Sequence, residues 1–321
     1  MPSILRRALV LMALPLALGV QAQSYPSKPI KIVVPYPPGA STDAVARLVG
    51  QKMSEELGQP VVVDNRARAS GNIGADVVAK SPPDGYTLVL ATDATHTSNP
   101  WLFKTHPFDV IKDATPITLA AKNILILVAL PTFPANNIRE LIDYAKKNPG
   151  KLSYGSAGLG SPHHLSGALL NQMAGIDLVH VPYKGGGPAA TDLLGGQIPL
   201  VFSSLVTVAP QIRAGRLKAL AVTEKVRYPG FPNVPAIAET LPGFEMSSWL
   251  GFFGPGNMPP AVTTRLHASM TKALLSPDVS SKLGEAGLLV VANTPAEFGT
   301  LQKSEYEQRG KLIKAIGIQP E

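Results

Sequence analysis

The sequence predicts an α/β fold of two lobes, with the second lobe inserted into the first. Three observations lead there. Short β-branched runs alternate with helix-length amphipathic segments, and strands separated by helices need crossovers that build a mainly parallel sheet. The same rhythm restarts in the middle of a chain of 321 residues, which is long enough for two domains and a large apolar core. The last long helical segments have little sheet of their own, so they are expected to pack back on the first unit.

Taken in order, the first unit reads as strand 30–34, helix 41–57, strand 61–64, helix 73–80 and strand 88–91. The second reads as strand 126–130, helix 138–148, strand 152–154, helix 162–174, strand 179–181, helix 189–194 and strands 200–202 and 219–222. A Pro-rich stretch at 228–235 precedes an apolar run at 250–253, followed by helices at 260–275 and 295–316. Crossings are expected near residues 123 and 240, giving a first lobe from 23–122 and 240–321 and a second from 123–239. The 31 prolines and 29 glycines punctuate these elements without forming a low-complexity linker, and no repeat of solenoid period is present.

At the N-terminus, Arg6 and Arg7 precede an apolar run, residues 8–20, that ends in Val20, Gln21 and Ala22. This is the pattern of a signal peptide, expected to span 1–22 and to direct export; a membrane-spanning helix needs roughly 20 apolar residues. No later run reaches spanning length, so the mature chain is expected to be soluble. Cysteine is absent, which excludes disulfides, thiolate metal sites and cysteine nucleophiles. Arg6 and Arg7 contribute to the formal charge of +7, and the other basic residues are dispersed, so no nucleic-acid or membrane patch is expected. The residual positive charge suits mild steering of an anion.

Each unit contains a strand, a glycine-bearing loop and a helix start with hydroxyl residues. In the first, Tyr36, Pro37, Pro38, Gly39, Ala40, Ser41, Thr42 and Asp43 follow the strand; in the second, Ser156, Ala157, Gly158, Leu159, Gly160 and Ser161 do so, with His164 just beyond. The first N–H groups of a helix lack intrahelical partners and the dipole adds about half a positive charge, which favours an anion. Gly39, Gly158 and Gly160 let the backbone come close to a ligand. Two such loops facing each other would grip a carboxylate, although Ser41, Thr42 and Ser161 also suit ordinary N-caps.

Tyr183 and Lys184 lie in a further strand-to-helix loop, where they could meet a ligand oxygen and a second carboxylate. Thr92, His96 and Ser98 follow strand 88–91, and ligands of open sheets gather at strand carboxyl ends. Ser204 joins the set as a residue that could choose the rest of the ligand. Neither loop carries a dinucleotide or P-loop pattern. No nucleophile elbow supports a serine hydrolase, and neither His163 and His164 nor His180 has metal-ligand spacing. No metal or cofactor is expected.

These loops belong to an ordered set of segments: 25–30 (YPSKPI), 34–43 (VPYPPGASTD), 58–66 (GQPVVVDNR), 71–74 (GNIG), 83–88 (PDGYTL), 154–161 (YGSAGLGS), 180–185 (HVPYKG) and 192–197 (DLLGGQ). With them the chain resembles the Bug-type, TctC-like periplasmic receptors of tripartite tricarboxylate transporters. The resemblance implies a type II periplasmic binding protein fold, the Venus flytrap, with residues 37–43 and 156–161 as pincers on a carboxylate. It implies ligands such as di- and tricarboxylates, acidic amino acids and aromatic acids, and delivery to integral-membrane permease subunits. Three departures stand out: Ala40 replaces the second glycine of the first loop, residues 65–70 read NRARAS in place of a glycine-rich stretch, and Pro199 replaces a common acidic residue.

The expected mechanism is hinge closure of a monomeric receptor on its ligand. The alternatives from other classes are a periplasmic hydrolase of a carboxylic ester or amide, and a sensory receptor for a signalling partner.

Overall fold

A computed structural model describes residues 25–66 and 71–320; the expected signal peptide lies outside them. The first sheet is built from β1 (Ile30–Val34), β2 (Val61–Asn65), β3 (Thr87–Thr92), β4 (Ala114–Asn123), β10 (Trp249–Pro255) and β11 (Leu288–Val290). The second is built from β5 (Leu125–Ala129), β6 (Leu152–Ser156), β7 (Leu178–Pro182), β8 (Leu200–Ser204) and β9 (Lys218–Val222). The helices of the first lobe are α1 (Ser41–Leu57), α2 (Asn72–Ala79), α3 (Asn99–Leu102), α8 (Pro260–Leu274) and α9 (Pro277–Glu285). Those of the second are α4 (Ile138–Lys147), α5 (Pro162–Ala174), α6 (Gly186–Leu194) and α7 (Leu205–Arg213), and α10 (Pro295–Ala315) closes the chain.

Strand order is β11-β4-β10-β3-β1-β2 in the first sheet and β7-β6-β8-β5-β9 in the second. β1 runs parallel to β2 and β3, and β10 lies antiparallel between β3 and β4, so β4 points the same way as β3. Their carboxyl ends, at Val34, Asn65, Thr92 and Asn123, therefore collect on one edge. In the second sheet β6 is parallel to β7 and β8, and antiparallel β5 starts opposite the end of β8, pairing Leu125 with Ser204. The two crossings run side by side: Asn123 donates its N–H to the Ser248 carbonyl at 2.8 Å, and Leu205 donates to the Ile124 carbonyl at 2.7 Å. Both carboxyl edges adjoin these crossings and so oppose each other across a cleft.

Burial explains why these segments fold. Ile30, Ile32, Val34, Leu88 and Leu90 meet Val45, Val49 and Met53 of α1 and Leu266 and Met270 of α8 in one core. Leu127, Tyr154, Leu200 and Phe202 meet Leu141 of α4 and Leu165 of α5 in the other. The first crossing falls at Ile124, between β4 and β5. The return crossing comes later than residue 240, because Phe244 and Met246 still pack in the second core and Trp249 opens β10.

The C-terminal helix also departs from expectation. Phe298 packs edge-on against Trp249 in the first lobe, at 5.1 Å between rings, whereas Leu312 and Ile313 lie in the core of the second. At 21 residues, α10 is about 30 Å long and reaches across both lobes. Strand β4, absent from the sequence reading, is rich in alanine and buried along its middle on both sides, so it shows neither strong β-propensity nor alternation. Among the described residues no helix is long and apolar enough to cross a membrane.

Candidate ligand-binding cleft

The loop from β1 to α1 is shaped by Asp43. Its Oδ2 accepts the Gly39 N–H and Arg47 Nε, each at 3.0 Å, and its Oδ1 accepts Asn65 Nδ2 at 3.0 Å. The Arg47 hydrogen bond above all holds the carboxyl down at about 2, with further help from Gly39 and Asn65, against the opposing effect of burial. Asp43 is 5% exposed and its charge is met by Arg47, so it fastens the loop. Gly39 takes φ +83°, a conformation that disfavours any side chain.

What the loop leaves open is the start of α1. Ala40 is the N-cap and has no side chain able to accept a hydrogen bond. The amides of Ser41, Thr42 and Asp43 have no intrahelical acceptors. Thr42 Oγ1 sits beside them in a residue only 2% exposed and makes no hydrogen bond among the described residues. Together with the helix dipole, these groups favour an oxygen acceptor at this helix end. The Ser41 side chain is exposed. Tyr36, beside the loop, hydrogen-bonds Thr92 at 2.6 Å and Thr95 at 2.9 Å through its hydroxyl.

The opposing loop follows β6. Ser161 caps α5, its Oγ accepting the His164 N–H at 3.2 Å, and Gly158 and Gly160 take φ +126° and +70°. Tyr36 and Ala94 of the first lobe face Ala157, Gly160 and Ser161 of the second around a cleft of about 450 Å³. A Cβ on Gly160 would lie 2.3 Å from Leu102 Cδ1 in α3, so the lobes touch here. At the first crossing, Asn123 Nδ2 donates to Ser204 Oγ at 2.8 Å, and Ser204 Oγ lies 3.2 Å from His163 Nε2. Asn123 and His163, which hydrogen-bond the expected residue Ser204, were not singled out in the sequence, since neighbouring histidines at a helix start carry no signal of which one meets a given partner.

Several expected site residues are turned away. His96 is 1% exposed and stacks on Phe253 at 4.1 Å, and Ser98 is buried with it. The cause is the π-helical turn Ala94–Ser98, which follows β3 and winds these side chains into the first lobe. The Tyr183 hydroxyl donates to Asp192 Oδ2 at 2.8 Å, so it is committed to α6. Lys184 is exposed in that loop and makes no ion pair among the described residues. His164 and Ser156 lie behind the second loop. Ser156 Oγ is 2.6 Å from His180 Nε2, but Ser156 is fully buried and no carboxylate hydrogen-bonds His180 among the described residues. A nucleophile needs an oriented base and an accessible oxygen, and this pair has neither. No group of three or more metal-ligating side chains occurs among the described residues.

Burial also lowers the pKa of His96 to about 3, of His163, His164 and His180 to about 4, and of His106 below its ordinary value. The unfolded chain takes up these protons near pH 6.5 while the folded chain refuses them, so stability falls as pH drops from about 6.5 towards 4. Asp93, raised to about 7, and Glu224, raised by burial, act in the opposite sense but are outnumbered. Urea unfolding should show a lower midpoint at pH 4.5 than at pH 7; an unchanged midpoint would mean that these imidazoles reach water.

Two α/β lobes with opposed carboxyl edges, joined by paired crossings beside a cleft lined by Tyr36 and Ser161, define a solute-binding receptor and not an enzyme. The chain belongs to the tripartite tricarboxylate transporter receptor family: the family described as "Tripartite tricarboxylate transporter family receptor" matches residues 45–318. It is 42% identical to a protein of the tcbD-tcbE intergenic region of Pseudomonas sp. strain P51, over 90% of this chain and 87% of that one. Among solved structures it is similar to R. palustris Rpa4515 with adipate, at 35% identity and TM-score 0.77, covering 92% of this chain and 100% of that one. MatC from Rhodopseudomonas palustris, with bound malate, is 32% identical with TM-score 0.73, over 90% and 100% of the two chains.

Proposed function

We propose that this protein is a periplasmic receptor that captures a small carboxylate between its lobes and delivers it to the permease of a tripartite tricarboxylate transporter. The observation that carries the reading is the start of α1, where unpartnered amides and the buried Thr42 hydroxyl, without a cap, end a loop whose Tyr36 lines the cleft. A carboxylate supplies both the charge and the acceptor atoms that this end lacks. The lobe-two loop supplies Ala157 and Leu159, whose amides make no hydrogen bond among the described residues, from the other side. The adipate and malate held by the two relatives are acids of the expected size. Export through residues 1–22, a monomeric state, and closure about the Asn123 and Ser248 crossing complete the proposal.

The test is a thermal-shift panel of mono-, di- and tricarboxylates, amino acids and aromatic acids on residues 23–321. Binding at 100 times Kd stabilises by about 2.7 kcal/mol, visible as a rise of several degrees. Thr42→Val keeps the shape and removes the hydroxyl, and should weaken the best acid by about tenfold or more, the worth of a hydrogen bond to a charged group. A flat panel, or full affinity in the valine variant, would refute the assigned cleft.

A further inference from the structure

Behind the lobe-two loop lies a histidine pair with no part in the cleft itself. His164 Nδ1 accepts the Gly160 N–H at 3.0 Å. Ser156 Oγ accepts the Gly158 N–H at 3.1 Å and lies 2.6 Å from His180 Nε2. The imidazoles of His164 and His180 stack at 3.8 Å with 18° between their planes.

Proton counting fixes the role of His164. A backbone N–H can only donate, so His164 Nδ1 must be bare and the ring neutral. The Gly158 carbonyl already accepts Ser161 Oγ at 2.6 Å and the Ser161 N–H at 3.2 Å. The Ser156 hydroxyl lies within donating reach of that carbonyl, at 3.2 Å, and of His180 Nε2, at 2.6 Å, and with either donor it ties the His180 ring to the Gly158 turn. The result is an alternation along the loop: the Gly158 and Gly160 amides are held inward by the histidine side, and the Ala157 and Leu159 amides, between and beside them, are left for the cleft.

We propose that His164 and His180 are positioning residues: stacked and neutral, they select which amides of the 156–161 loop face the ligand, and their protonation releases that selection. The proposal rests on the carboxylate-receptor reading for its effect on affinity, but not for its effect on the loop. Burial holds both rings neutral down to about pH 4, with His164 adding to the lowering at His180. The other titratable groups beside the pair are Tyr154 of β6, whose hydroxyl donates to the His164 carbonyl at 3.0 Å, and Asp177 of the turn before β7. A cation on either ring faces the other ring at stacking distance, and a protonated His164 Nδ1 meets the Gly160 N–H as donor against donor.

The experiment compares His164→Leu and His180→Leu with His164→Asn and His180→Gln, whose side-chain carbonyls replace the lost acceptors at similar positions. The first readout is amide exchange at Gly158 and Gly160 in ligand-free protein; the second is the Kd for adipate from pH 7.5 to 4.5. The leucine variants should exchange at least tenfold faster at these amides and bind adipate about tenfold more weakly, with normal thermal unfolding of the remainder. Asn and Gln should restore both, and as pH falls to 4.5 the double Asn/Gln variant should lose less affinity than wild type, beyond the loss that adipate's own protonation causes in both. Unchanged exchange in the leucine variants overturns the brace, as does faster exchange with unaltered affinity. If wild type does not bind adipate, the carboxylate reading fails on that probe while the exchange data still decide whether the histidines hold the loop.

Discussion

Arg309→Ala should destabilise the protein by about 3–5 kcal/mol and lower Tm on the order of 10 °C. Arg309 projects from α10 at 3% exposure and donates to the Ser247 carbonyl at 2.6 Å, in the return crossing itself. It also lies 3.5 Å from Asp93 Oδ2 and 4.0 Å from Glu305 Oε2. Glu305 in turn accepts Trp249 Nε1 at 2.8 Å and the Ser247 hydroxyl. Removing the guanidinium leaves two buried carboxylates facing each other, which costs far more than the pair contributes when intact. Asp93 is already pushed up to about 7, chiefly by burial and further by Glu305, with Arg309 opposing. A carboxyl whose folded pKa is raised loses stability as pH rises through that value, so the deficit in Arg309→Ala should be larger at pH 8 than at pH 6. Calorimetry at both values checks this. A loss below about 1 kcal/mol at either pH would mean that water or rearrangement satisfies Asp93 and Glu305.

Gly160→Val should weaken ligand capture by roughly 100-fold, equivalent to about 3 kcal/mol. Two causes act together. Gly160 sits at φ +70°, a strained conformation for a β-branched residue, and its new Cβ would lie 2.3 Å from Leu102 Cδ1 across the cleft. Leu102 can turn aside in part, so the Gly160→Val, Leu102→Ala double variant separates the causes: affinity regained is the share due to the blocked approach of the lobes, and affinity still missing is backbone strain. Isothermal titration with the best acid from the panel measures both. Unaltered affinity in the single variant would show that the 156–161 loop and α3 do not approach each other when ligand is bound.

Much of this architecture was legible in the chain. Helix 41–57 and the starts of the helices at 138, 162, 260 and 295 are read at the bounds the structure shows, because amphipathic periodicity and helix-start residues are local properties. The two glycine loops were legible for the same reason. Strand β4, the short edge strand β11 and helices α7 and α9 escaped notice. The three residues of β11 are held by pairing with β4, and α7 carries Pro210 in its interior, so neither announces itself by propensity.

Side-chain direction is where local reading stops. Asp43 looks like a ligand contact and is a fastener; Tyr183 looks available and is held by Asp192; His96 follows a strand end and still turns into the core. The sequence by itself determined the two lobes, the strand-loop-helix units and the family, since these rest on periodicity, turn chemistry and residue order. Only the tertiary structure decided which amides and hydroxyls remain without partners, and that α10 ties the lobes together. Those outcomes depend on contacts between residues as distant in sequence as Ser156 and His180, or Asp93 and Arg309, and no local pattern encodes them.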